Sequence, residues 1–462
     1  MCGIAGAFNV PNAAQVVSLM LRALQDRGQE AAGIVSSHEE NFFAVRGRGL
    51  AGDVFKKVDF QRDLPGHCAI GQNRYPTAGD AYGIDNVQPF DALTPYGQVT
   101  VAHNGNLTNC PSIVQDLGLR SCDRRDESDT KLMLRLLACS AGGDWVSRFK
   151  RAFGVIEGAF AIVTMAEDGT CLAALDPYGF RPLSYVKYGD GWLVASETCA
   201  LKLFDFEDEI QQVLPGEIID FTAGQLIRHQ YARRQFTRHC SFCETYFARP
   251  DSLVFGCSPY CRRDRLGVAL AQTKPVSAGH TVIPVPDSSL VMAKSYASTL
   301  NLPYEYGLIK SRYENRTFII PGREQRVFRV RLKYGAVNTV VKGQDLLVVE
   351  DSKVRGLTSS HWVRLLRRAG AKSIHERVAS PPVISSCHWG IDTPTREELI
   401  AHRMSVAQIR DHLGLDSLEY LPLEDFCLAF DDPDRTKYCY SCFTGELPVS
   451  DHTSPPHWGE CQ

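Results

Sequence analysis

The sequence predicts two domains of different class, an α+β domain followed by an α/β domain built on a parallel sheet. Three observations carry this. The 462 residues exceed what one hydrophobic core usually supports. In the first half, short β-branched and aromatic runs are separated by Gly, Pro and Asp turns, with a few helices among them. After about residue 255, strand and helix patterns alternate, the rhythm of a parallel sheet covered on both faces.

In chain order, Ala13 to Arg27 has the apolar spacing of an amphipathic helix, closed by Gly28. Ser128 is placed to cap a helix running to about Cys139, and Ala159 to Met165 reads as a strand. Beyond the boundary, set near residue 235 and dividing 2–235 from 236–462, the helix Arg263 to Gln272 precedes the strand Thr281 to Val285. The helix Ser289 to Leu300 precedes the strand Tyr304 to Ile309. Asp345 to Glu350 is a buried strand feeding a helix from Leu357 to Arg368, and Ser373 to Val378 is the next strand.

A hydrophobic content of 44% and a net charge of −3 describe a globular chain with no bulk attraction for nucleic acid or membrane. No apolar run is long enough to span a bilayer, and the first ten residues lack a secretory pattern, so a cytoplasmic protein is expected. In that reducing compartment the 16 cysteines point to metal or catalytic roles rather than disulfides.

Cys2 follows the initiator methionine. Removal of Met1 would leave a thiol beside a free α-amine, which titrates near neutrality at about 7.7–8.0 and can act as a base. Alone, Cys2 is an ordinary small second residue. Behind it come Arg27-Gly28-Gln29-Glu30, Asn73-Arg74-Tyr75-Pro76-Thr77-Ala78-Gly79, His103-Asn104-Gly105-Asn106 and Ser128-Asp129-Thr130. Free glutamine needs a cation for its carboxylate, an acid for its ammonium and an oxyanion hole for its amide. The ordered set supplies all three. It resembles the class II glutamine amidotransferases, which implies an N-terminal-nucleophile αββα sandwich. The resemblance makes Cys2 the nucleophile, Asn104 and Gly105 the oxyanion hole, and Arg27, Arg74 and Asp129 the holders of glutamine. Asp26 departs from the family's usual His, and Pro76 from its usual small residue.

In the second half, Leu346 to Ser359 is a hydrophobic strand that ends in Glu350-Asp351 and turns into a helix. A helix start suits a 5′-phosphate, and paired acids suit ribose hydroxyls and magnesium. Val285-Pro286-Asp287-Ser288-Ser289 accompanies it, as does the stretch from Lys310 to Lys333, with eight Lys/Arg against two Glu. With Tyr246 to Ser252 and Tyr313 to Phe318, the chain from Cys2 to about Gly445 resembles the glutamine phosphoribosylpyrophosphate (PRPP) amidotransferase family. That family joins the glutaminase to a type I phosphoribosyltransferase domain and opens purine biosynthesis.

The resemblance implies glutamine and PRPP as substrates, internal passage of ammonia, and a homo-oligomer, dimer or tetramer. PRPP would be held by Asp287, Ser288, Glu350, Asp351, Ser352, Arg355, Gly356, Thr358 and Arg326. Magnesium would sit on Ser288, Glu350 and Asp351. Departures fall here too. Glu350 replaces an Asp, Lys353 an Ile and Leu357 a Thr, and Arg323-Glu324-Gln325-Arg326 stands where glutamines are common. A paralogue acting on another sugar phosphate and a non-catalytic PRPP sensor remain alternatives.

The cysteines allow two metal readings. Cys240, Cys243, Cys257 and Cys261 have zinc-like spacing. Cys240, Cys387, Cys439 and Cys442 stand where the family's cluster-bearing members hold a four-iron four-sulfur cluster, so the resemblance favours that cofactor.

Overall fold

The computed structural model describes residues 1–75, 86–118, 128–140, 142–233, 236–311, 334–393 and 395–448. The boundary expected near residue 235 falls at 234–235, and the basic stretch with Arg326 falls in 312–333, both outside the described residues.

The first half is two stacked antiparallel sheets between helices. Strand β1 (Gly3–Phe8) alternates strictly: Ala5 and Ala7 meet helix α1 (Ala13–Ala23), while Ile4 and Phe8 face the second sheet. β1 pairs with β2 (Cys68–Arg74) inside a seven-stranded sheet. β3 (Gly97–Leu107) pairs with β4 (Gly158–Ala166) inside a six-stranded one. Ile70 packs with Ala102 and Val163 between the sheets, and Leu132 and Leu136 of helix α2 (Asp129–Cys139) cover the outer face of the second. These are the four layers of an αββα sandwich.

Two local expectations change. The first helix ends at Ala23, and Gln25–Arg27 tightens into a 3₁₀ turn. Gly28 is extended rather than left-handed; a Cβ there would lie 2.6 Å from the Asn73 carbonyl, so close approach is what requires glycine. Ser128 occupies the N-cap position of α2 but its hydroxyl makes no capping bond, while Asp129 Oδ1 accepts the Thr130 amide at 2.8 Å.

The second half carries a four-stranded parallel sheet in the order β5 (Thr281–Pro284), β6 (Asp345–Glu350), β7 (Ser373–Val378), β8 (Ser417–Tyr420). Helices α3 (Pro259–Thr273) and α4 (Leu290–Leu300) cover one face, where Leu347 and Val349 point. Helix α5 (Leu357–Arg368) covers the other, burying Trp362 and Leu366 against Leu346 and Val348. The strand expected at Tyr304 to Ile309 is only partly formed. Tyr304 makes one parallel bridge to Val282, and Leu308–Lys310 pairs instead with Tyr334–Ala336. A single apolar cluster joins the halves, running from Met1, Cys2 and Tyr75 to Leu347 and Val349. Among the described residues no helix is long and apolar enough to cross a membrane.

Candidate active site

Cys2 is buried one residue before β1. Its sulfur accepts the Tyr75 amide at 3.4 Å and its thiol donates to the Tyr75 carbonyl at 3.6 Å. Tyr75 follows directly on β2, so pairing of the first two strands sets the thiol's position. Burial pushes the thiol pKa up, against the lowering influence of the chain's N-terminal charge and Arg74. The resting group is therefore a neutral thiol, which needs a base to attack. Arg27, expected to hold glutamine, is placed otherwise. It is fully buried, ion-paired to Glu197, and its Nε donates to the Cys2 carbonyl at 3.0 Å. Its work is to fix the nucleophile's backbone.

Arg74 and Asp129 both lie close enough to Cys2 to act on its charge. Arg74 Nη1 is 3.2 Å from Glu30, and Asp129 Oδ2 accepts the Leu107 amide at 3.2 Å. Asn104 on β3 is completely buried, and both ends of its amide lack a protein partner. An unpaired buried amide is costly, about 1–3 kcal/mol, unless something that binds there repays it. Gly105 follows because nothing larger fits: a Cβ would lie 1.9 Å from the Ala159 carbonyl. The second half closes over this strand. Asn106 donates to the His388 carbonyl at 2.9 Å, and a Cβ on Gly390 would sit 2.7 Å from the Gly105 backbone.

The acceptor loop lies between β6 and α5. Gly356 has φ 74° at the helix N-cap, a left-handed conformation that favours glycine. Asp351 is buried, accepting the Ser288 hydroxyl at 2.5 Å and the Ser352 hydroxyl at 2.6 Å. Burial raises its pKa to about 6. Asp287 is exposed and paired with Lys310 at 2.6 Å, and Arg355 is paired with Glu398 at 2.6 Å. Glu350, expected to share magnesium and ribose, borders the same cavity but already has a counter-ion. Lys353 Nζ holds it at 2.7 Å and Glu376 at 2.8 Å, and all three side chains are buried. The long acid and the lysine three residues on form one internal ion pair.

One cavity of about 260 Å³ is bordered at one end by Tyr75 and Gln29 and at the other by Ser288, Asp351, Ser352 and Thr358. One interior thus runs from Tyr75, which holds the Cys2 thiol, to the phosphate-type loop. Residues 83–203 match a family described as a glutamine amidotransferase domain. The amidophosphoribosyltransferase of Vigna aconitifolia, named as chloroplastic, is 44% identical over 98% of this chain and 93% of its own length. That of Bacillus subtilis is 38% identical over 99% and 96%. A solved B. subtilis glutamine PRPP amidotransferase, complexed with ADP and GMP, superposes with a TM-score of 0.87 at 37% identity, covering 99% of this chain and all of its own. This chain belongs to the amidophosphoribosyltransferase family.

As a member of that family it combines an N-terminal-nucleophile glutaminase with a phosphoribosyltransferase sheet. The structure also separates the two cysteine sets. Parallel pairing of His239–Cys240 with Tyr438–Cys439 sets Cys240 beside Cys439. After burial as the main cause, Cys387 stands close enough to raise the Cys240, Cys439 and Cys442 thiols by charge, and Cys439 and Cys240 act likewise on Cys442. Cys257 stands beside Cys261, and Cys243 beside Cys240. Among the described residues no three His, Cys, Asp or Glu converge tightly enough to ligate one ion. The first set is thus the one whose four thiols gather in one place, with the wider spread that several irons rather than one zinc would need.

Sequence reasoning missed Glu197, Glu376 and the Tyr75 backbone. The signal for Glu376 was present: a carboxylate inside a strand covered on both faces needs a partner.

Proposed function

We infer that this chain hydrolyses glutamine at Cys2 and passes the ammonia to PRPP, giving glutamate, 5-phosphoribosylamine and pyrophosphate, the first committed step of purine synthesis. The observation that carries this reading is the cavity shared by Tyr75, which grips the nucleophile, and the Asp351 loop. With Met1 removed, the Cys2 amine takes the thiol proton and sulfur attacks the glutamine amide carbon. Asn104 Nδ2 and the backbone at Gly105 would stabilise the oxyanion, while Arg74 and Asp129 would hold the carboxylate and ammonium. The tetrahedral intermediate collapses as the amine returns the proton to the nitrogen, the C–N bond breaks to release ammonia and leave a thioester, and water then releases glutamate from it. The ammonia attacks C1 of the ribose as pyrophosphate leaves. An enclosed route matters, because ammonia that meets water at neutral pH is mostly ammonium and no longer a nucleophile.

Asp351, Ser288 and Ser352 would hold a magnesium ion, which screens the charge of the leaving pyrophosphate. Cys240, Cys387, Cys439 and Cys442 would hold a four-iron four-sulfur cluster, which cross-links the C-terminal segment to the body. With every described cysteine a free thiol, the cytoplasm is the compartment we assign.

The test follows glutamine hydrolysis and pyrophosphate release with and without PRPP and magnesium. The expected result is glutamate and pyrophosphate formed one to one, with hydrolysis stimulated by PRPP. Hydrolysis indifferent to PRPP but stimulated by another pentose phosphate would move the acceptor elsewhere. Iron analysis should give about four per chain in brown protein, and colourless active protein would reject the cluster.

A further inference from the structure

Lys353 is the least expected group near the acceptor loop. It is 1% exposed, yet its ammonium touches three side chains from three elements. Glu350 ends β6, Glu376 lies on β7, and Ser359 sits in the first turn of α5. The Ser359 hydroxyl accepts from Lys353 and donates to Glu350 at 3.1 Å. The Trp362 ring lies 5.8 Å from the ammonium. A lysine in this position pins the last residue of the strand to the first turn of the helix, with the loop 351–356 strung between them.

The two adjacent acids consequently have different duties. The Glu350 carboxylate already has a cation and a hydroxyl donor. Asp351 has hydroxyl donors only, from Ser288 and Ser352, and no bonded cation. A buried carboxylate held by hydroxyls alone favours an incoming cation, whereas one locked to an ammonium would have to break that pair first. We propose that Lys353 is a positioning residue that occupies the Glu350 carboxylate at the edge of the acceptor cavity, leaving Asp351 with Ser288 as the carboxylate unit that meets the acceptor's magnesium and ribose. The consequence is an acceptor site recognising its sugar through one acid, with Glu350 serving the loop's shape.

This rests on the phosphoribosyl-transfer reading. The two are separated by using ammonium chloride as nitrogen source, so that the glutaminase plays no part. Wild-type protein that releases no pyrophosphate from PRPP with ammonium would refute the functional reading whatever Lys353 does. Given wild-type turnover, Asp351→Asn should raise the PRPP KM and the half-saturating magnesium at least tenfold. Glu350→Gln should keep both within about twofold, and a Glu350→Gln change matching Asp351→Asn would overturn the proposal. Lys353→Met should free Glu350 to compete for the cation, shifting half-saturating magnesium severalfold. That shift should vanish in Glu350→Gln/Lys353→Met, a dependence on Glu350 that a merely structural lysine would not produce. A shift that persists in the double variant also overturns the proposal. Should Lys353→Met not fold, the Glu350→Gln and Asp351→Asn pair decides alone.

Discussion

The two reaction sites are prepared in opposite ways. At Cys2 the thiol and the oxyanion-hole amide are uncharged, with the ion pairs Arg27–Glu197 and Arg74–Glu30 behind them: the thiol is buried and protonated, and the Asn104 amide has no protein partner at either end. Around the acceptor loop, charges are already balanced internally, with Lys353 between Glu350 and Glu376, Lys310 on Asp287, and Arg355 on Glu398. The first arrangement awaits a small neutral amide and spends stability to keep its donor free. The second must hold its shape until a highly charged sugar arrives, so its own ions neutralise each other meanwhile. Preorganisation thus leaves the oxyanion-hole dipole unpaired at the first site, and at the second sets paired charges around Asp351, which has hydroxyl partners only.

The largest expected effect lies at the first site. Cys2→Ala should lower glutamine-dependent synthesis by at least about 10³-fold, since a lost nucleophile removes the covalent route. Ammonium-dependent synthesis should survive, because the Asp351 loop is built on different strands. Loss of both activities would show that the halves are not separable. Next is the anchor behind the nucleophile. Arg27 and Glu197 are each 1% exposed, and breaking such a pair leaves an uncompensated charge worth about 3–5 kcal/mol. Glu197→Gln should therefore lower unfolding stability in that range, read by denaturant titration. A loss below 1 kcal/mol would mean that water or another group replaces the carboxylate. Asn104→Ala should then cut the glutamine-dependent kcat by about 10²–10³-fold with little change in KM, the signature of an oxyanion donor. It should leave stability unchanged or raised, because the deleted amide has no partner to lose.

The same contrast explains what the sequence made legible. Asp345 to Glu350, Leu357 to Arg368 and Ser373 to Val378 form where the apolar patterns place them. The two strands are covered on both faces and the helix buries one face against them, so local pattern and tertiary packing agree. Tyr304 to Ile309 has a strand's composition but lacks a continuous neighbour, and its ladder depends on Tyr334, far along the chain. Cys2, Asn104 and Asp129 were legible as a set because glutamine demands those groups together. The partners of Arg27 and Glu350 were not. Whether an arginine meets a ligand or Glu197, 170 residues away, is decided by strand pairing rather than by its own motif.

The smallest expected effect sharpens the comparison most, because it asks where the proton sits in the charged network. Glu350 and Glu376 share one ammonium, so both cannot ionise cheaply. Burial raises Glu376 to about 8, while Lys353 and its hydrogen-bonding neighbours hold Glu350 below its ordinary value despite burial. An unfolded glutamate titrates near about 4.3. Between that value and about 8 the folded chain binds the extra proton, so this group's contribution to stability falls as pH rises and levels off above 8. Glu376→Gln cannot ionise and keeps a carbonyl for Lys353. Relative to wild type, its unfolding free energy should improve from pH 5 to pH 8 by about 1–2 kcal/mol, less than full linkage because Lys353 offsets part of the charge. Denaturant melts at both pH values measure the gap. A difference that stays flat between the two pH values would mean that the folded pair holds no extra proton, so that Lys353 faces two ionised carboxylates and the acceptor loop is not charge-balanced as its geometry implies.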